Sequence, residues 1–128
     1  MRYKDEEIKR QWETGLLHPK LRDQIVMLDS LAQICGMEGG LMLTSIYRPE
    51  SMNSYHSLWR AVDIRDRDWD AAFDRLFMTI LISIKRWDKE AQWEKEPSDA
   101  HPNSPPHYHI EADDGSLQKS LDKNKTKP

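Results

Sequence analysis

Leu21, Ile25, Leu28, Ala32 and Cys35 recur at offsets of four, seven, eleven and fourteen residues, the apolar stripe of an amphipathic helix. Pro19 suits the first turn of that helix, and Gly36 with the Gly39-Gly40 pair stops it. Residues 41–47 then read as a short strand rich in apolar and β-compatible side chains, ended by Arg48-Pro49. A second long helix is predicted from Asp68, a good N-cap, with Trp69, Phe73, Leu76, Ile80, Ile84 and Trp87 along one face. Its three aromatics belong against a sheet. Between the helices, Ala61-Val62-Asp63-Ile64-Arg65 alternates like a half-buried strand, with Val62 and Ile64 opposite Ala61 and Asp63. His107-Tyr108-His109-Ile110-Glu111 alternates too. Residues 94–106, rich in Pro, Ser, Asp and Asn, are expected to join the second helix to this last strand as a loop, at a length typical of functional loops.

Two helices, a set of short strands and no regular βαβ alternation predict an α+β fold, a small antiparallel sheet flanked by helices. With 128 residues there is room for one core. Residues 1–117 therefore read as a single domain, and 118–128, polar and lysine-rich, as a disordered tail. The single Cys35 can form no intrachain disulfide, and its place on the helix stripe assigns it to packing rather than to a reactive thiol. Nineteen Lys and Arg against 22 Asp and Glu leave a net charge of -3. That balance argues against a broad phosphate-binding surface, so nucleic acid is not an expected partner. The longest apolar run, residues 76–84, falls far short of the roughly 20 residues that span a bilayer, and no membrane insertion is expected. The first ten residues are charged where a secretory signal needs an apolar stretch of about 7 to 15. A cytoplasmic monomer is the expectation.

His107, His109 and Glu111 share a strand face, since side chains two apart point the same way at about 6.6 Å. Tyr108 and Ile110 suit a core, so the polar face looks onto solvent or a cleft. For this segment alone a solvated face is the simpler reading. His56 and Asp63 change that weighting, because Asp63 sits on the polar side of its strand and His56 in the Ser- and Asn-rich turn that enters it. Two histidines and one carboxylate can converge there. Catalytic zinc commonly takes three such protein ligands and leaves its fourth position to water. Taken singly, His-x6-Asp and His-x-His are weak signals.

Longer strings are more specific. Ser54-Tyr55-His56-Ser57-Leu58-Trp59-Arg60-Ala61-Val62-Asp63 resembles the S-x-H-x-x-G-x-A-x-D motif of the zinc D-alanyl-D-alanine carboxypeptidase and dipeptidase family, matching at Ser54, His56, Ala61 and Asp63. Trp59 stands where the family has glycine. Thr44-Ser45-Ile46-Tyr47-Arg48 looks like the family's S-G-Y-R segment, with Ile46 at its glycine, and residues 107–111 look like its H-x-H and H-x-E patterns. Order and approximate spacing agree over residues 41–112.

The resemblance implies a zinc peptidase of the lysostaphin, D-Ala-D-Ala metallopeptidase and hedgehog fold group, with His56, Asp63 and His109 as zinc ligands. Arg48 would bind the substrate carboxylate or the developing oxyanion, an ordinary surface ion pair being its alternative. Many relatives carry a Glu or Asp three residues before the last histidine ligand, and this chain has Pro106 there. His107 is the substitute for proton transfer. Glu111 comes second, with orientation of a ligand imidazole as its alternative, and Asp99 and His101 stay open. Ser54 is expected to hold the ligand loop or the substrate, and His18 to flank a helix start. The implied reaction is hydrolysis of a peptide bond in bacterial peptidoglycan stem peptides, by an endolysin-like L-alanyl-D-glutamate endopeptidase or a D,D-carboxypeptidase. Small size suits a phage endolysin released from the cytoplasm by a separate pore, and equally a cytosolic dipeptidase. The alternative from another class is a non-catalytic metal-containing binding module of the same fold. A metal-free α+β domain would need the histidine and carboxylate signals to coincide by chance.

Overall fold

In the computed structural model residues 1–50, 55–96 and 107–112 are described. A short strand β1 (Arg2–Tyr3) leads into helix α1 (Glu6–Glu13), whose N-cap Asp5 accepts from Ile8 N at 2.9 Å. The long helix α2 (Pro19–Ile34) opens on His18, whose ring accepts from Lys20 N. Strand β2 (Met42–Ser45), a 3-10 turn (Tyr55–Leu58) and strand β3 (Ala61–Arg65) follow. Helix α3 (Ala71–Trp87) then precedes the hairpin-like pair β4 (Ala91–Glu96) and β5 (His107–Ala112).

The five strands form one sheet in the order β1-β2-β3-β5-β4. It is mixed rather than wholly antiparallel, because β1 runs parallel to β2 while every other pairing is antiparallel. The α1–α2 crossover between β1 and β2 makes the parallel pairing possible. One face of the sheet supplies Val62, Ile64, Tyr108, Ile110 and Ala112 to a single core, with Ile8 and Trp12 of α1, Leu21, Ile25, Leu28 and Ala32 of α2, and Phe77 and Leu81 of α3. Each large apolar side chain buried this way is worth about 1.5–3 kcal/mol. Tyr108 is the aromatic centre of that core, stacked beneath Trp69 and edge-on to Phe77.

Several sequence expectations shift by local chemistry. The third helix starts at Ala71, because Asp70, not Asp68, accepts from Phe73 N at 2.7 Å. Trp69 therefore stands before the helix and packs across Phe73 and Tyr108. The helix buries Phe77 and Leu81, whereas Leu76 is exposed and Trp87 is 91% exposed, so the buried stripe is rotated from the expected one. Cys35 caps the C-terminus of α2 and is exposed, since the helix has already ended at Ile34 and the chain turns through Gly36. The expected 94–106 loop is shorter, because residues 91–96 pair with β5 along its full length. Gly40 sits where a Cβ would overlap the Asp29 carboxylate that holds Leu41 N at 2.8 Å, so glycine there lets β2 begin beside α2. Residues 97–106, with Asp99, His101 and Pro106, lie outside the described residues, as do Ser54 and the 117/118 boundary.

Candidate metal centre

The β3–β5 register brings the polar residues together. Arg60 O accepts from Ala112 N, and the alternation of an antiparallel ladder then makes Ala61/Glu111, Asp63/His109 and Arg65/His107 the non-hydrogen-bonded pairs. Such pairs have the closer side chains, with Cα atoms about 4.5 Å apart. Asp63 and His109 thus face each other across the middle of the sheet, and the His109 Nδ1 to Asp63 Oδ1 distance is 2.9 Å. All three polar positions of β5 lie on the side away from the core residues Tyr108 and Ile110.

His56 arrives from the 3-10 turn. Its ring is 1% exposed, with Nδ1 donating to Ile46 O at 2.8 Å and Nε2 lying 3.2 Å from Asp63 Oδ1. The turn is tied at its end by Arg60 N to Tyr55 O, and Arg48 N reaches His56 O from the β2 side. Between turn and strand stands Trp59 at φ 59°, a left-handed conformation that costs a non-glycine residue about 1–2 kcal/mol. Its indole stacks on Tyr47 at 4.4 Å and 6° between planes, a contact worth about 0.5–1.5 kcal/mol that offsets much of the strain.

One ligand atom from each of His56, Asp63 and His109 lies within 4.8 Å of the other two. Tetrahedral ligands about 2.0–2.1 Å from a zinc ion stand roughly 3.3 Å apart, so a small closure of the three side chains suffices. The set fits an ion in a further respect: each imidazole has its other ring nitrogen occupied, His56 by a carbonyl and His109 by Glu111 Oε1 at 2.6 Å. Electrostatics agree. Burial works to raise the Asp63 pKa, but hydrogen bonds and charge from His109 and His56 outweigh it and hold the carboxylate well below its usual range. Burial works to lower the His109 pKa, and hydrogen bonds to Asp63 and Glu111 override it, pushing the imidazole up to about 10.

The second carboxylate oxygen, Oδ2, faces the other expected residues. Arg48 Nη2 lies 3.5 Å from it and His107 Nε2 3.8 Å, while the Arg48 side chain stays 43% exposed. Glu111 touches His109 rather than Asp63. One contributor was not legible in the sequence: the Ile46 carbonyl, which no side-chain pattern marks. Strand β4, which pairs with β5 beside the site, was not legible as a strand either. The apolar alternation of Ala91 and Trp93 was the signal for that strand. Comparison with protein families, characterised proteins and solved structures finds no match for this chain.

Proposed function

We propose that the chain is a zinc-dependent peptidase acting on the stem peptides of bacterial peptidoglycan. The observation that carries this reading is the convergence of His56, Asp63 and His109 beside an arginine and a third histidine. The positive φ of Trp59 adds support, since it falls at the position where the resembling family has glycine. A zinc ion held by the three residues supplies a Lewis acid for the scissile carbonyl and lowers the pKa of water toward about 7.

The chain's own residues do the rest. Asp63 divides its oxygens, Oδ1 toward the two ligand histidines and Oδ2 toward Arg48 and His107. Arg48, anchored at one edge and open at the other, binds a substrate carboxylate or the oxyanion that forms on attack. His107, two residues along the strand from His109 and on the same face, takes and returns the proton. Whether the bond cut is an L-alanyl-D-glutamate linkage or a terminal D-alanyl one is read directly from the products.

The test is digestion of purified peptidoglycan by the zinc-loaded protein, with mass analysis of released peptides. Discrete peptide cleavage that stops on chelation is expected, and His107→Ala should keep zinc yet lose about 100-fold or more in turnover. Zinc uptake without any cleavage would instead identify a metal-holding binding module.

A further inference from the structure

Glu111 meets a candidate metal ligand directly. Its Oε1 lies 2.6 Å from Nε2 of His109, on the side of the ring away from Asp63, and both side chains are largely buried, 17% and 12% exposed. Among the described residues, the His109 ring is the polar group that the Glu111 carboxylate meets. An imidazole that gives its Nε2 proton to a fixed acceptor presents the Nδ1 lone pair, and here Nδ1 is the atom facing Asp63. Opposite Glu111 in a non-hydrogen-bonded pair stands Ala61, fully buried. A larger side chain at that close-spaced position would compete with Glu111 for the space beside the ring.

We propose that Glu111 is a positioning residue of the metal centre, selecting through Nε2 which nitrogen of His109 faces the ion, and that Ala61 keeps the room for this posture. The inference rests on the metal reading above. It assigns Glu111 to the ligand rather than to the reaction.

Zinc titration by calorimetry, together with the visible spectrum of the cobalt-substituted protein, tests it on wild type, Glu111→Leu, Glu111→Gln and Ala61→Val. Thermal melts in chelator establish that each variant is folded. Glu111→Leu should weaken zinc binding by about 10- to 100-fold and alter the cobalt bands. Glu111→Gln, whose amide oxygen still accepts from Nε2, should recover most of the affinity, and Ala61→Val should weaken binding without removing a polar group. Glu111→Leu within about twofold of wild type, with unchanged cobalt bands, would overturn the inference and leave the metal site standing. Glu111→Gln as weak as Glu111→Leu would also overturn it. Wild-type protein that takes up neither ion overturns the metal reading itself, and this inference with it.

Discussion

His56 and His109 meet the same carboxylate oxygen but are held there by different means. His109 is placed by sheet register, one cross-strand step from Asp63, and its far nitrogen meets a charged acceptor. His56 is placed by a turn, and its far nitrogen meets the neutral carbonyl of Ile46. A strand position tolerates little drift, because its backbone is shared with two neighbours. A turn must be tied down residue by residue, which here takes the Arg48 and Arg60 amides and the Trp59 stack. The difference also divides the electrostatics, since only the strand histidine sits between two carboxylates.

The largest effect is expected where the two routes join. Asp63→Ala should abolish zinc uptake and destabilise the metal-free protein by about 3–5 kcal/mol, because it strands His109 in a buried site without its principal partner. Chemical denaturation in chelator measures this, and a loss under about 1 kcal/mol would show that Asp63 is not the hub of the cluster.

pH separates the two histidines. In the metal-free protein the raised pKa of His109 gives a stabilisation that is complete below its ordinary value near 6.5 and lost as pH rises through about 10. The lowered pKa of Asp63 describes the acid side of the same pair, whose stabilisation is present above the usual carboxylate range and lost as pH falls below it. Stability should therefore decline between about pH 6.5 and 10, at most about 1.4 kcal/mol per unit. His109→Gln should flatten this slope while His56→Gln retains it. Equal slopes in the two variants would contradict the assignment. Zinc binding near neutral pH should release about one proton, readable as a buffer-dependent binding enthalpy.

On the proposed function, Arg48→Lys should leave zinc uptake intact and lower turnover on peptidoglycan by about tenfold or more, because an ammonium cannot copy a planar guanidinium that would span Asp63 and a substrate oxygen. Unchanged turnover would return Arg48 to the role of a surface ion pair. The smallest effect is expected at Trp59. Trp59→Gly removes the strain and the stack together and should move stability by less than about 1 kcal/mol, whereas Trp59→Ala keeps the strain, loses the stack and should cost more. The order of the two melting temperatures decides whether the turn that carries His56 is held by its backbone or by its aromatic pair.

Much of this was written in the sequence. Period-3.6 spacing marked α2, and Leu21, Ile25, Leu28 and Ala32 are its buried stripe; period-2 alternation marked β3 at its observed bounds and β5 to within one residue. These are local signals, because an amphipathic element must show its period to bury one face. His56, Asp63 and His109 were legible as residue types and spacings. Their meeting was not. It depends on β5 pairing with β3 in one register across a sequence separation of 46 residues, and on a turn held by contacts to β2. The fourth strand is hard to read because its apolar alternation stops after Ala91 and Trp93, and so short a pattern becomes a strand through the partner it pairs with. The choice of β1 as a parallel neighbour of β2, the exposure of Cys35 and the turn of Glu111 toward His109 likewise came from tertiary structure. Sequence determined which faces are apolar and which groups can bind or transfer a proton. Register and burial decided which of those groups share a charge.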